Sequence, residues 1–475
     1  MRGFCPVKLV NYAIIVGEEV VFVSNPKVMD ETMSRNFEIN GYWWIPHFDK
    51  KVEGILYFNQ KKVKLELKGS ISEDPNIDEY KVIWGETENG EELTLFNTYR
   101  TLYDMRVLDS YKQGSKIDIP ESYSINSFLV GGLYRNLDSV KFSSCKFLPS
   151  HFHQWIQKID STFMDTYVED ATLRIKGLNN CYQRGFILQP KNSQSINWYL
   201  TYTDKLRKLL MLMSGHPIFN ERLEFLNETD QRKYTYFITG RSTKKLPDLQ
   251  MKQCLIRYVD IEKDVCRIFS KWFTLYEDLK IVTGIYFSDW YMDKFLEMKF
   301  LNAVQVIEIF HSWMRKDEKK VISSESHAAL ERAKLVLKEA IPDYNKIIKV
   351  QLKEGKKFVL QNRFENLLKE LDEKTKEFLL GNDEEVTVFT NQAVQTRNHF
   401  THYGKEQKFS LSSHTELTYT LYRLKALITV LLLKEIGVSE LIIRQKMRNR
   451  VDIPYTQLHT AKKFLNTEKY LSLLD

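Results

Sequence analysis

The hydrophobic periodicity of this chain changes partway along its length, and that change constrains the fold more than any other feature. In the first 200 residues, apolar and polar side chains tend to alternate. Val63, Leu65 and Leu67 are interleaved with Lys64, Glu66 and Lys68, the period-two signature of a strand with one buried face. The run Gly54–Phe58 is placed to pair with it across Asn59–Lys62. A second hairpin is read from Lys81–Trp84, the dipeptide Asn89-Gly90 and Leu93–Phe96, because Asn-Gly tolerates the positive φ of a tight turn. Further strand-like runs are Ser127–Val130, Val140–Phe147, Phe186–Gln189, Ile196–Tyr202 and Tyr234–Ile238, and Tyr42-Trp43-Trp44 before Pro46 suits the start of a sheet.

Helical spacing then takes over. Lys205–Met213 carries Leu206, Leu209, Leu210 and Met213 and stops at Gly215 and Pro217. From about Ile261 onward, one stripe is Phe295, Met298, Leu301, Val304 and Ile307. A second is Leu330, Ala333, Leu337 and Ala340, ending at Pro342, and a third is Phe364, Leu367, Leu368 and Leu371. The last long helix opens with a capping box, Ser413 with Glu416, runs through Leu417, Leu421, Leu424, Ile428 and Leu431, and closes at Gly437. There is no internal repeat and no low-complexity linker. The expected fold is α+β: an N-terminal antiparallel β-rich domain over 1–245, a helical connector over 246–290 and a C-terminal all-α helical bundle over 291–475.

Composition narrows the class. A chain of 475 residues with 43% hydrophobic and 28% charged residues reads as globular, with two or three domains. Its longest apolar run near a helix, Ala426–Leu433, interrupted by Thr429, is far short of the ~20 residues of a membrane span. The stretch Tyr12–Val16 runs into Glu18 and Glu19 and does not read as a signal peptide, so the expected location is the cytoplasm, with no membrane partner. The five cysteines are scattered and contain no C-x-x-C pair, which points to reduced thiols and not to a disulfide framework or zinc site. Net charge is +7. Near the C-terminus Arg444, Lys446, Arg448, Arg450, Lys462 and Lys463 face only Asp452, either as a solvated surface or as an RNA-contacting patch.

The segment that carries chemistry is Glu385–Gly404. Its apolar line is Val386, Phe389, Ala393 and, after a gap, Phe400. Arg397 falls within that gap, on a stripe where a guanidinium is costly unless it has an acceptor. Asn398 and His402 are four apart and share a helix face, and Gly404 stands where a helix C-cap would. The spacing alone admits satisfied structural polar residues as well as a site.

The run Arg397-Asn398-His399-Phe400-Thr401-His402 resembles the R-N-x-x-x-H signature of HEPN domains. The flanking helices Phe300–Glu308 and Leu431–Gly437 are similar to that fold too. The N-terminal half resembles the N-terminal domain of the ApeA anti-phage defence proteins in Gly41-Tyr-Trp-Trp-Ile-Pro46, Gly54–Phe58, Lys64–Gly69 and Ile83–Thr87 with Leu93-Thr-Leu95. The resemblance implies a metal-independent endoribonuclease acting in abortive infection, with tRNA as the substrate class and no cofactor. It also implies a homodimer formed through the HEPN helices and a β domain that senses a phage-derived trigger or restrains the nuclease. In that reading Arg397 and His402 are catalytic, and Asn398 and His399 position phosphate or substrate. A histidine titrates near neutral pH, and an arginine fork holds two phosphoryl oxygens. Glu308 reads as a structural partner.

Two other function classes are compatible with the sequence. One is a non-catalytic dimerisation or RNA-binding module. The other is a β domain that binds glycan or protein through Trp43, Trp44 and Trp84, although rings at strand positions usually belong to the core. His151-x-His153 with His216 is a weak metal candidate that lacks a carboxylate or thiol signature. Gly131-Gly132 lacks the context of a phosphate loop.

Overall fold

The computed structural model describes residues 37–46, 48, 50–59, 62–71, 82–101, 120–156, 164–176, 185–227, 232–238, 254–314, 324–340, 359–402, 411, 413–450, 455–465 and 472, with short strands at 8–10, 13–16 and 19–22. The chain divides into two compact units. One comprises 1–211, 216–249 and 257–273; the other comprises 212–215, 250–256 and 274–475. The fold is α+β, with the strands in the first unit and helices making up the second.

The first three strands, β1 (Lys8–Val10), β2 (Ala13–Val16) and β3 (Glu19–Phe22), form a small antiparallel sheet. The next six are β4 (Phe37–Trp44), β5 (Val52–Asn59), β6 (Lys62–Leu67), β7 (Val82–Thr87), β8 (Glu92–Arg100) and β9 (Ser122–Val130). They pair in the cyclic order β4-β5-β6-β9-β8-β7 and back to β4, all antiparallel. Closure removes the exposed edges that an open sheet would carry. Both expected hairpins are present, with Leu56 opposite Leu65 and Trp84 opposite Thr94, and Gly90 has φ 78° at the second turn. Period-two burial follows directly: β4 alternates buried and exposed from Phe37 to Tyr42. Trp43 is fully buried, and its Nε1 donates to the Gly54 carbonyl at 3.1 Å. A Cβ at Gly85 would overlap its ring, so glycine is required there by close approach.

The remaining strands are β10 (Lys141–Phe142), β11 (Ser144–Pro149), β12 (Met164–Val168), β13 (Ala171–Lys176), β14 (Gly185–Pro190), β15 (Gln194–Ser195), β16 (Asn220–Leu226) and β17 (Lys233–Ile238). A second antiparallel sheet runs β12-β13-β14-β11-β16-β17 and joins the barrel at β9. β8 pairs along the length of β9, so β6 and β17 share its other edge, β6 at Ser122–Ile125 and β17 at Ser127–Val130.

The run Ile196–Tyr202, expected as a strand, is the start of a helix. After the four-residue α1 (Phe152–Trp155), α2 spans Ile196–Ser214. Ile196, Tyr199, Tyr202, Thr203 and Leu206 are all buried, in steps of three and four that only a helix places on one face. Aromatic and β-branched content had imitated a strand. The strands β12, β13 and β16 went unread, although Ala171, Leu173 and Ile175 of β13 alternate with polar residues in the same period-two pattern as β6.

The helical unit follows α3 (Tyr258–Ile261) and α4 (Val265–Tyr291), with the division falling inside α4. Its helices are α5 (Leu296–Met314), α6 (Ser324–Ala340), α7 (Leu360–Lys369), α8 (Glu373–Leu379), α9 (Asp383–His402), α10 (His414–Glu435), α11 (Glu440–Arg448) and α12 (Leu458–Leu465). Ser413 and Glu416 form the expected capping box of α10. That helix is buried on nearly every side from Ala426 to Leu433, as a central bundle helix must be, and it packs against α5, α9, α11 and α12. Two expected stripes are corrected. On α5 the packed face begins at Phe300 and continues through Ala303, Val304, Ile307 and Phe310, while Phe295 and Met298 are exposed. On α6 Ala333 and Ala340 are exposed and Leu337 is only partly covered; the side chain of Leu330 lies outside the described residues. Among the described residues no helix is long and apolar enough to cross a membrane.

Candidate active site

Helix α9 presents the polar segment. Val388, Phe389, Gln392, Ala393 and Thr396 are buried, which directs the following residues, Arg397 to Phe400, to the border of the packed face. Arg397 was expected in the middle of the apolar stripe; Thr396 takes the interior position instead. The Thr396 hydroxyl accepts from the Leu411 amide at 2.9 Å. The ring of Phe400 meets Phe300 of α5 edge-on at 6.1 Å, which sets these two helices against each other at the site.

The Arg397 guanidinium has a carboxylate partner. Its Nη2 lies 3.5 Å from Glu308 Oε2 of α5, with the two side chains 28% and 27% exposed, and its Nη1 donates to Asn398 Oδ1 at 3.3 Å. Glu308, expected as a structural partner, makes this contact from α5. Such a pair at the solvent border leaves the remaining guanidinium donors accessible to another acceptor. His399 is half-buried, its ring tilted against Phe400 with centroids 5.7 Å apart. His402 is the last residue of α9, one turn beyond Asn398. Its side chain and the expected cap Gly404 lie outside the described residues.

A second guanidinium enters from α7, and the sequence reading missed it. Arg363 donates to the Glu308 carbonyl at 2.8 Å and to the Ser312 hydroxyl. One turn along, Asn366 Nδ2 and His311 Nε2 are 3.3 Å apart. Arg363 stands alone on its helix with no motif around it, so only the packing of α7 on α5 could reveal it. The two arginines meet different atoms of Glu308, Arg397 its carboxylate and Arg363 its backbone carbonyl, which ties α9 and α7 to α5. The Arg397 guanidinium, at the solvent border, can also meet a phosphoryl oxygen.

The other candidates separate clearly. Trp43 is in the barrel core, Lys51 covers the Trp44 ring at 4.3 Å and Trp84 Nε1 donates to the Tyr134 carbonyl at 2.9 Å. Among the described residues, no group of three or more His, Cys, Asp or Glu side chains is placed to hold a metal ion. Cys145 and Cys254 are buried free thiols and Cys266 is partly exposed; burial pushes the Cys145 thiol up. Cys5 and Cys181 lie outside the described residues.

The C-terminal basic cluster is not uniform. Arg444 is buried and donates to Asp372 Oδ1 at 2.9 Å and to the Thr375 hydroxyl at 2.7 Å. Arg450 is buried over the Tyr455 ring and donates to the Ser214 carbonyl at 3.1 Å. Arg448 and Lys463 are exposed, and Asp452 lies outside the described residues.

With that geometry in view, the chain is similar to two family profiles. ApeA N-terminal domain 1 matches residues 38–179 and 185–272, and Apea-like HEPN matches residues 301–441. The second interval contains Glu308, Arg363 and the whole Arg397–His402 segment. No curated protein and no solved structure matches the chain.

Proposed function

The chain belongs to the ApeA-like HEPN proteins, and from that premise we propose that it is a metal-independent endoribonuclease of anti-phage defence that cleaves tRNA. The observation that carries this reading is the placement of Arg397. It is an arginine at the solvent border of the bundle, with Asn398 bonded beside it and His402 one turn beyond Asn398, inside the HEPN match. A purely structural arginine would be expected deeper and more fully paired, as Arg444 is.

The chemistry suits these residues. The ribose 2′-oxygen attacks the adjacent phosphorus as the bond to the 5′-oxygen breaks, leaving a 2′,3′-cyclic phosphate and a 5′-hydroxyl. One proton leaves the 2′-hydroxyl and one reaches the departing oxygen. His402 serves as acid or base in that exchange. Arg397 neutralises charge that gathers on the non-bridging oxygens. Asn398 orients the guanidinium, and His399 contacts substrate. Two copies joined through the HEPN helices would line one cleft with both motifs. The β-rich unit takes the phage-derived trigger, and the protein acts in the cytoplasm.

The Glu308 pair is the observation that favours the alternative, a non-catalytic module in which Arg397 only joins α9 to α5. Incubating purified wild-type, Arg397→Ala and His402→Ala proteins with total bacterial tRNA in EDTA separates the two. Discrete cuts by wild type alone, ending in cyclic phosphate, are expected. Equal cutting by the soluble His402→Ala protein would refute the assignment.

A further inference from the structure

The helical unit contains a cleft of ≈790 Å³ bounded by α8, α11 and α12, with Lys374, Phe378, Arg448, His459 and Lys462 among the residues lining it. All of these except Lys374 and Phe378 follow the residues matched to the HEPN family. Arg444 and Arg450 also reach the cleft, but each is buried and already bonded to its own acceptors, so they build the wall. Lys374, Arg448 and Lys462 are different. Among the described residues none has a carboxylate within ion-pairing distance; Lys462 donates to the Glu377 carbonyl at 2.7 Å and Arg448 lies 5.3 Å over the Phe378 ring.

We propose that this cleft is an anchoring site for the phosphate backbone of the RNA, separate from the Arg397–His402 segment. This rests on the ribonuclease reading for the identity of the ligand. Cations without carboxylate partners, gathered in a concave site, release condensed counterions when a polyphosphate enters. Phe378 and His459 supply flat faces on which an unpaired base can stack. Burial depresses the pKa of Lys462; Glu385 and Glu377, the latter also lining the cleft, support its charge, while Arg423 and Arg448 oppose it. Gln392 Nε2 of α9 donates to the Leu465 carbonyl of α12 at 3.4 Å, so the helix that carries Lys462 is packed on the helix that carries Arg397. Gln392 and Arg397 are five residues apart on α9, about 8 Å along the axis at ~1.5 Å per residue, so one RNA can span both sites.

The test is binding of labelled tRNA to the full chain carrying His402→Ala, measured across a salt series so that nothing is cut. Adding Lys374→Ala, Arg448→Ala and Lys462→Ala together should weaken binding at least about tenfold and flatten the log–log salt slope by about two to three. The single charge reversal Lys374→Glu, at an exposed position, should move both in the same direction. Removing the same charge from the barrel surface, as Lys50→Ala, Lys51→Ala and Lys68→Ala, should leave the slope within about one of its starting value. Unchanged affinity and slope in both cleft variants would overturn the proposal. Because binding is read without cleavage, cleft-dependent binding by this chain beside a wild-type chain that cuts nothing refutes only the nuclease reading, and a wild-type chain that cuts tRNA while binding ignores the cleft refutes only this one.

Discussion

Arg397 and Arg444 are both paired arginines of the helical unit, and their surroundings assign them different work. The Arg397–Glu308 pair is more than a quarter exposed on each side and 3.5 Å long, in the range where solvent screening leaves about 0–1 kcal/mol of net stabilisation. Arg397→Ala should therefore lower stability by no more than about 1 kcal/mol in urea melts, even though RNA cleavage disappears. A loss of several kcal/mol would mean the arginine is a structural element first. The sequence made Arg397-Asn398-His399 and His402 legible as a group, because a motif confined to six residues survives without any knowledge of the fold. It misjudged the depth of Arg397, since a stripe counted in steps of three and four cannot tell position 396 from 397. Arg363 was invisible for a plainer reason: its meaning comes from Glu308 and Ser312, more than fifty residues earlier.

At the scale of elements, the short helices around the cleft depend on caps and cross-links. Asp372 caps α8 by accepting from the Thr375 amide at 2.6 Å, and it also receives Arg444 from α11. Burial alone would raise the pKa of its carboxyl, but the Thr375 side chain and amide and the Arg444 guanidinium hold it below the usual carboxylate range. A depressed folded-state pKa gives stability that is present above the unfolded value of about 3.9 and is lost as pH falls through the lower folded value. Asp372→Ala should cost about 1–2 kcal/mol at pH 7. The gap from wild type should shrink below about pH 4, as thermal melts at pH 7 and pH 3 would reveal; a gap that stayed constant would exclude the charged cap. Among the elements, the β5–β6 and β7–β8 hairpins were fully legible, because alternation and an Asn-Gly turn are local signals. Helix α2 was legible only in its second half, Lys205–Met213; its first half was not, because Ile196, Tyr199 and Tyr202 favour strands intrinsically and only their common burial establishes the helix there.

For the whole molecule, the boundaries 1–245, 246–290 and 291–475 remain a proposal that fragments can examine. The helical unit includes 274–291 of α4, where Leu279, Val282, Tyr286 and Phe287 are buried and the Tyr286 hydroxyl lies 2.7 Å from that of Thr429. It also includes 212–215 and 250–256, joined by the Ile256 amide to the Met213 carbonyl at 2.6 Å. Removing four such side chains forfeits about 1.5–3 kcal/mol each, comparable in sum with the 5–15 kcal/mol that holds a domain together. A fragment of residues 250–475 should therefore melt cooperatively by circular dichroism, and one of residues 291–475 should not; a cooperative melt of the shorter piece would place α4 outside the folding unit.

The sequence by itself determined the order of a β-rich half before a helical half, both hairpins, the α10 capping box and the Arg397–His402 motif. Each of these depends on neighbours within a few residues, where side-chain period, turn chemistry and capping act. Tertiary structure alone decided the closure of the barrel through β4 with β7 and β8 with β9. It also brought Glu308 to Arg397 and Arg363 to the Glu308 carbonyl, and it divided the C-terminal cations between bonded walls and open lining. Those outcomes are set by which distant surfaces bury each other and which charges then find acceptors, and neither is written in local spacing.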